Sequence, residues 1–104
     1  MAKSLGIFVT SLQNWRHVLG VTKAAVKKGS KVKVFFTWKG VHCTKCTEFE
    51  ELCKLAEVSI CADSYQKEGY DKTNDIPKGL DEKKMSTQSQ HAVIIDSYDC
   101  YMTL

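Results

Sequence analysis

Between Leu5 and Ala62 the chain alternates between short, almost wholly apolar runs and stretches whose apolar residues recur at helical spacing. Leu5 to Thr10 is the first run, with β-branched members and a glycine. It lacks a polar face, so it reads as a strand buried on both sides. Trp15, Val18, Leu19, Thr22, Ala25 and Val26 then fall at i, i+3, i+4, i+7, i+10 and i+11, the stripe of an amphipathic helix. Ser11 and Asn14 can cap its start. Lys23, Lys27 and Lys28 suit the negative end of its dipole, and Gly29 fits the left-handed position past its last turn. Lys31-Val32-Lys33-Val34 alternates and continues through Phe35-Phe36 as a second strand. A loop around Gly40 covers Trp38 to Thr44. Thr47 with Glu50 makes a capping box for a second helix, with Thr44 an alternative cap one turn earlier. Phe49, Leu52, Cys53 and Ala56 form that helix's buried stripe. Val58 to Ala62 is a third strand. A β-α-β-α-β order implies a parallel sheet, because parallel strands need a crossover between them.

Tyr65 to Lys84 has a different character. Gly69, Asn74-Asp75, the single proline Pro77 and Gly79 predict a short helix or turn and then a long exposed loop. His91 to Ile95 has β propensity, but Ser86 or Thr87 as an N-cap with Ala92 and Ile95 at helical spacing favours a helix over 87–97. Cys100 to Leu104 is the final strand. The expected architecture is one α/β domain over residues 1–104: three layers, flavodoxin-like, with a mostly parallel four-stranded sheet.

Hydrophobic residues make up 43% of the 104, which argues against disorder. The net charge of +3, from 15 Lys and Arg against 12 Asp and Glu, is too small to imply nucleic acid as a partner. The lysines between Lys23 and Lys33 read as a solvated face. No apolar run approaches the ~20 residues of a membrane span. Met1-Ala2-Lys3 leads directly into the first strand, so neither a secretory signal nor membrane association is expected, and the expected location is the cytoplasm. Five cysteines is an odd count, so at least one cannot pair within the chain. In a reducing compartment their uses are packing, metal binding or sulfur chemistry.

Cys61 stands at the carboxyl end of the third strand, the side on which open parallel sheets bind ligands. Asp63 or Ser64 can cap a short helix directly after it, and a thiol near a helix N-terminus has its thiolate stabilised. The bland alternative is a small buried hydrophobe. His42-Cys43-x-x-Cys46 is a second constellation, able in principle to hold a metal or form a redox disulfide. A structural zinc site needs four ligands and a second Cys-x-x-Cys is absent; His42 could be a third ligand, but neighbouring residues rarely both reach one ion, so the expectation is no metal, with Cys43 and Cys46 the weak candidates. Cys53, on the apolar stripe, and Cys100, opening a strand, read as packing. His17 and His91 read as structural or exposed. Ser11 has no His and acid placed by any motif, so nothing supports a hydrolase. Neither G-x-G-x-x-G nor G-x-x-x-x-G-K-[ST] occurs, and no cofactor is expected.

Across nearly its whole length the chain resembles the DsrE/DsrF/TusD family. The resemblance rests on Ser4 to Ser11, on His17-Val18-Leu19-Gly20, and on Val34 to Thr37 followed by Gly40-Val41-His42. It continues through Val58-Ser59-Ile60-Cys61, Ser64-Tyr65, Gly69 and Thr87-Gln88. It implies a DsrE-like domain in which Cys61 takes sulfane sulfur as a persulfide and passes it on. The partners implied are sulfur-donor and sulfur-acceptor proteins, and the activity is a sulfur carrier or sulfurtransferase in the loose sense. The family commonly has Arg before the Gly where this chain has Glu68. A carboxylate near the thiolate would raise its pKa, while Lys67 next to it would lower it. The family tends to assemble, and Trp38, Val41 and Tyr70 are large apolar groups in expected loops, so a homo-oligomer is expected. Two other readings stay open: a non-catalytic interaction subunit of the same fold, and a Cys-x-x-Cys redox or metal-binding protein.

Overall fold

The computed structural model describes residues 4–77, 79–80, 85–86, 98 and 100–104. Strand β1 is Ser4–Val9, helix α1 Trp15–Lys27 and strand β2 Lys31–Phe36. A 3-10 segment, Trp38–Lys45, leads to helix α2, Phe49–Leu55. Strand β3, Glu57–Cys61, runs straight into helix α3, Ala62–Lys67. Two further strands are β4, Met85–Ser86, and β5, Cys100–Thr103. The sheet order is β4-β3-β2-β1-β5, and every pairing is parallel. The expected α/β class and parallel sheet are therefore present. Four strands have four residues or more, and β4 adds a two-residue edge where the sequence reading has no strand and offers Ser86 only as a helix cap. The helix expected over 87–97 falls outside the described residues.

Alternation of side chains across the pleat divides the strands between two apolar clusters. Ile7, Val9, Val34, Phe36, Val58 and Ile60 pack with Trp15, Val18 and Leu19 of α1 and with Phe49 and Leu52 of α2. The Trp15 ring lies 6.2 Å from both Phe36 and Phe49, centroid to centroid, Phe36 is 5.4 Å from Phe49 edge-on, and the three rings join α1, β2 and α2. Phe8, Phe35 and Cys61 point to the other face and are also buried, with Tyr98 against them. A sheet buried on both faces is the condition of a three-layer arrangement, and it explains the continuous apolar runs.

The helix starts differ from expectation. Asn14 stands at the N-cap of α1 without a side-chain cap bond; its Nδ2 donates instead to Ser11 Oγ at 3.1 Å. Neither Thr44 nor Thr47 caps α2. Its N-cap is Glu48, and Thr44 Oγ1 turns back to donate to Val41 O at 2.7 Å within the 3-10 segment. Gly29 does take the left-handed conformation, with φ +86°.

Candidate functional site at the carboxyl edge of the sheet

Because β1, β2 and β3 are parallel, their carboxyl ends bring Thr10, Thr37 and Cys61 to one edge. The chain steps outward from β1 to β4 and then returns to the far side of β1 as β5, so its direction reverses between β1 and β5. Ligands of open parallel sheets bind beyond such a reversal. There a groove of about 490 Å³ is lined by Thr10, Ser11, Leu12, Gln13, Trp38 and Lys39. Trp38 is 69% exposed and has φ +54°, the left-handed region that a bulky side chain seldom occupies. Its turn closes over β1: Thr37 N–H donates to Val9 O at 3.0 Å and Gly40 N–H to Thr37 O at 2.9 Å.

Cys61 is the last residue of β3 and the N-cap of α3, at the carboxyl end as expected. It is 3% exposed and packed with Phe8 and Phe35. Ser59, two residues before it and so on the same face, is also buried, and its Oγ meets no hydrogen-bond partner among the described residues. The neighbours named from the sequence separate into three groups. Asp63 and Lys67 pair with each other at 3.0 Å, one helical turn apart and largely in solvent, so Lys67 is engaged by Asp63. Ser64 is buried and its Oγ lies 3.3 Å from Thr37 Oγ1, fastening α3 to the end of β2. Glu68 reaches the 3-10 segment, where Oε1 accepts from Lys39 Nζ and His42 Nε2, each at 2.9 Å.

Hydrogen bonds from Lys39 and then His42 hold the Glu68 carboxyl below its ordinary range. As a carboxylate it can only accept, so His42 Nε2 carries the hydrogen. In the neutral ring Nδ1 then accepts from the Tyr70 hydroxyl, 2.7 Å away. The Glu68 carboxylate is therefore paired with the Lys39 ammonium and hydrogen-bonded by His42.

A second network lies beside the first. Lys45 Nζ donates to the Tyr65 hydroxyl at 2.8 Å and to Asp75 at 3.0 Å, and the Tyr65 hydroxyl donates to the Asp75 carbonyl. Tyr65 and Tyr70 stack with centroids 4.7 Å apart, and Lys45 lies 4.8 Å from the Tyr70 ring. Burial pulls the Lys45 amine down, but the bonds to Tyr65 and Asp75 outweigh it and leave it raised. These contacts pin residues 65–75 onto the 3-10 segment. The sequence reading named neither network as a unit; the partners lie 10 to 30 positions apart with no shared motif.

Of the remaining cysteines, Cys53 packs against the main core as expected, while Cys43 and Cys100 are placed differently. None of the five forms a disulfide. Cys43 lies in a 3-10 segment where a loop is expected and is fully buried in the main core, and Cys100 is exposed on β5 rather than packed. Desolvation, with Cys46 nearby, pushes the Cys43 thiol up to about 12. Desolvation and then Glu48 also raise Cys46. No group of three or more His, Cys, Asp or Glu among the described residues is arranged to hold a metal ion. Of the apolar groups offered for assembly, Trp38 is exposed, but Val41 is wholly buried and Tyr70 half-buried against Tyr65.

No protein-family model matches the chain, and no curated protein matches it in sequence. No helix among the described residues is long and apolar enough to cross a membrane.

Proposed function

We propose that the protein is a cytoplasmic sulfur-relay protein that carries sulfane sulfur as a persulfide on Cys61. The observation that carries the proposal is the position of Cys61 as the last residue of β3, at the carboxyl edge of an all-parallel sheet. The resemblance to the DsrE/DsrF/TusD family, which rests on the run Val58 to Cys61 among others, supports it. Three of the other four thiols are less suited. Those of Cys43 and Cys46 are raised, which keeps them protonated, and Cys100 opens β5 at the opposite edge.

In this reading the Cys61 thiolate attacks the outer sulfur of a donor persulfide. A new S–S bond forms on Cys61, the donor's S–S bond breaks, and the donor leaves as a thiol. An acceptor thiolate then takes the outer sulfur by the same exchange and regenerates Cys61. Pairing of Glu68 with Lys39 and His42 limits the repulsion that its charge would exert on the thiolate. The donor and acceptor are proteins, and exposed Trp38 and Leu12 beside the groove favour docking and a homo-oligomer at this edge.

The 3% exposure of Cys61 favours a second reading, in which the thiol is packing and the domain is an interaction subunit. One experiment separates them. The folded protein is incubated with inorganic polysulfide, and the modified cysteine is located by mass spectrometry in wild type and Cys61→Ser. Loading at Cys61 that the variant loses supports the relay. Equal loading of the variant, or modification of Cys61 only after unfolding, removes the relay and leaves the interaction subunit.

A further inference from the structure

We infer that Cys43 and Cys46 form a dithiol switch that closes to an intrachain disulfide by exchange with a low-molecular-weight disulfide. The pair belongs to the main core, on the sheet face opposite Cys61, and the inference does not depend on the relay reading. Cys46 N–H donates to Cys43 O at 3.0 Å, the i to i+3 bond that closes one 3-10 turn. Cys43 stands in the last turn of the 3-10 segment and Cys46 is its C-cap, so the pair brackets that turn. A turn closed in this way holds its end Cα atoms within ~7 Å, and a disulfide needs about 4.4–6.8 Å.

The two thiols differ in access, as an entry and a resolving cysteine should. Cys46 is half-buried and lines a cleft of about 470 Å³ with Lys45, Thr47, Glu50 and Asp75. Cys43 is fully buried, and its S–H donates to Ser11 O at 3.6 Å. An incoming disulfide therefore meets Cys46 first. The Cys46 thiolate attacks one of its sulfurs, forming a mixed disulfide and releasing one small thiol. The Cys43 thiolate then attacks Cys46 Sγ and releases the second. The small disulfide is reduced to two thiols, the pair is oxidised, and the two protons from the cysteines end on the leaving thiols. Desolvation raises both thiols and outweighs the backbone hydrogen bond that favours the Cys43 thiolate, which makes exchange slow at neutral pH but leaves the disulfide the favoured form once made. A metal is the poorer fit for the same pair, since no third ligand stands with it among the described residues.

The test equilibrates the folded protein with glutathione disulfide, blocks remaining thiols with a maleimide and maps tryptic peptides without reduction. Cleavage after Lys45 separates the cysteines, so the switch appears as peptides 40–45 and 46–54 joined and released by reductant. A Cys53→Ser background removes the other thiol of the second peptide. Cys43→Ala should stop at a glutathione mixed disulfide on Cys46, and Cys46→Ser should leave Cys43 unmodified. Should Cys43→Ala not fold, the wild-type linkage decides alone. A Cys46–Cys53 linkage, or maleimide on both Cys43 and Cys46 at equilibrium, overturns the inference. Linkage that persists in Cys61→Ser supports its independence from the relay, and linkage that needs Cys61 overturns it.

Discussion

Gly40 lies so close to β1 that a Cβ built on it would sit 2.1 Å from the carbonyl oxygen of Val9. The obstacle is backbone, at the end of a buried strand, so neither side can give way cheaply. The contact fixes where the 3-10 segment leaves the carboxyl edge, and with it the placement of Trp38, Lys39 and His42. Gly40→Ala is expected to cost about 3 kcal/mol or more, at the upper end of overpacking effects. Urea unfolding measures it, and a loss under about 1 kcal/mol would show that this turn moves freely.

Thr22 gives a prediction of the opposite sign. It faces the core from the middle of α1, and its Oγ1 is buried without a hydrogen-bond partner among the described residues. A buried hydroxyl left unpaired costs roughly 1–3 kcal/mol. Thr22→Val keeps the shape and removes the polar atom, so it is expected to raise stability by about 1 kcal/mol. A lowered unfolding midpoint would mean that the hydroxyl is satisfied.

Cys43 and Cys46 are expected to differ as structural residues. Cys43 is packed at 0% exposure, and Ser in its place puts a hydroxyl where a weakly polar thiol now meets the Ser11 carbonyl. Cys43→Ser is expected to cost about 1–3 kcal/mol, and Cys46→Ser, half-exposed at the cleft, under about 1 kcal/mol. Thermal midpoints of the two single variants check the order. Equal, negligible losses would show that the core does not depend on the packing of Cys43.

The contrast between Cys43 and Cys100 shows what a sequence of this kind carries. Strands β1 to β3 and helix α1 were legible because their apolar periods are set by burial against a sheet, a repeated local constraint. The position of Cys61 followed, since a residue ending a strand in a parallel sheet must reach the carboxyl edge. Burial of Cys43 and exposure of Cys100 were not legible. Cys43 is buried because the 3-10 turn folds inward over β1, and Cys100 is exposed because β5 forms an edge of the sheet. The partners of Glu68 were hidden for a related reason: Lys39 and His42 lie 29 and 26 positions away, across a crossover. Beside Cys61 in sequence, Glu68 read as a repelling charge; in space it is the group that docks α3 on the 3-10 segment.

That docking contact sets a pH dependence. The Glu68 carboxyl is held below its ordinary range by bonds from Lys39 and His42, so the folded state binds a proton there less readily than the unfolded chain. Its contribution is fully present above the unfolded value, ordinarily about 4.3, and is lost as pH falls through the lower folded value. Asp71 is held down too, by the backbone amides of Asn74 and Thr73, and adds an acid-sensitive contribution of its own. A difference between wild type and Glu68→Gln isolates the first. The wild type is expected to have the higher thermal midpoint at neutral pH, and the gap should narrow as pH falls through the lowered folded-state value, where the wild-type carboxyl takes up its proton. Glu68→Arg is expected to lower the midpoint at neutral pH, because it sets a third cationic or donor group against Lys39 and His42. A gap between wild type and Glu68→Gln that stays constant through the acid range would show that the docking of α3 does not depend on the ionised carboxylate.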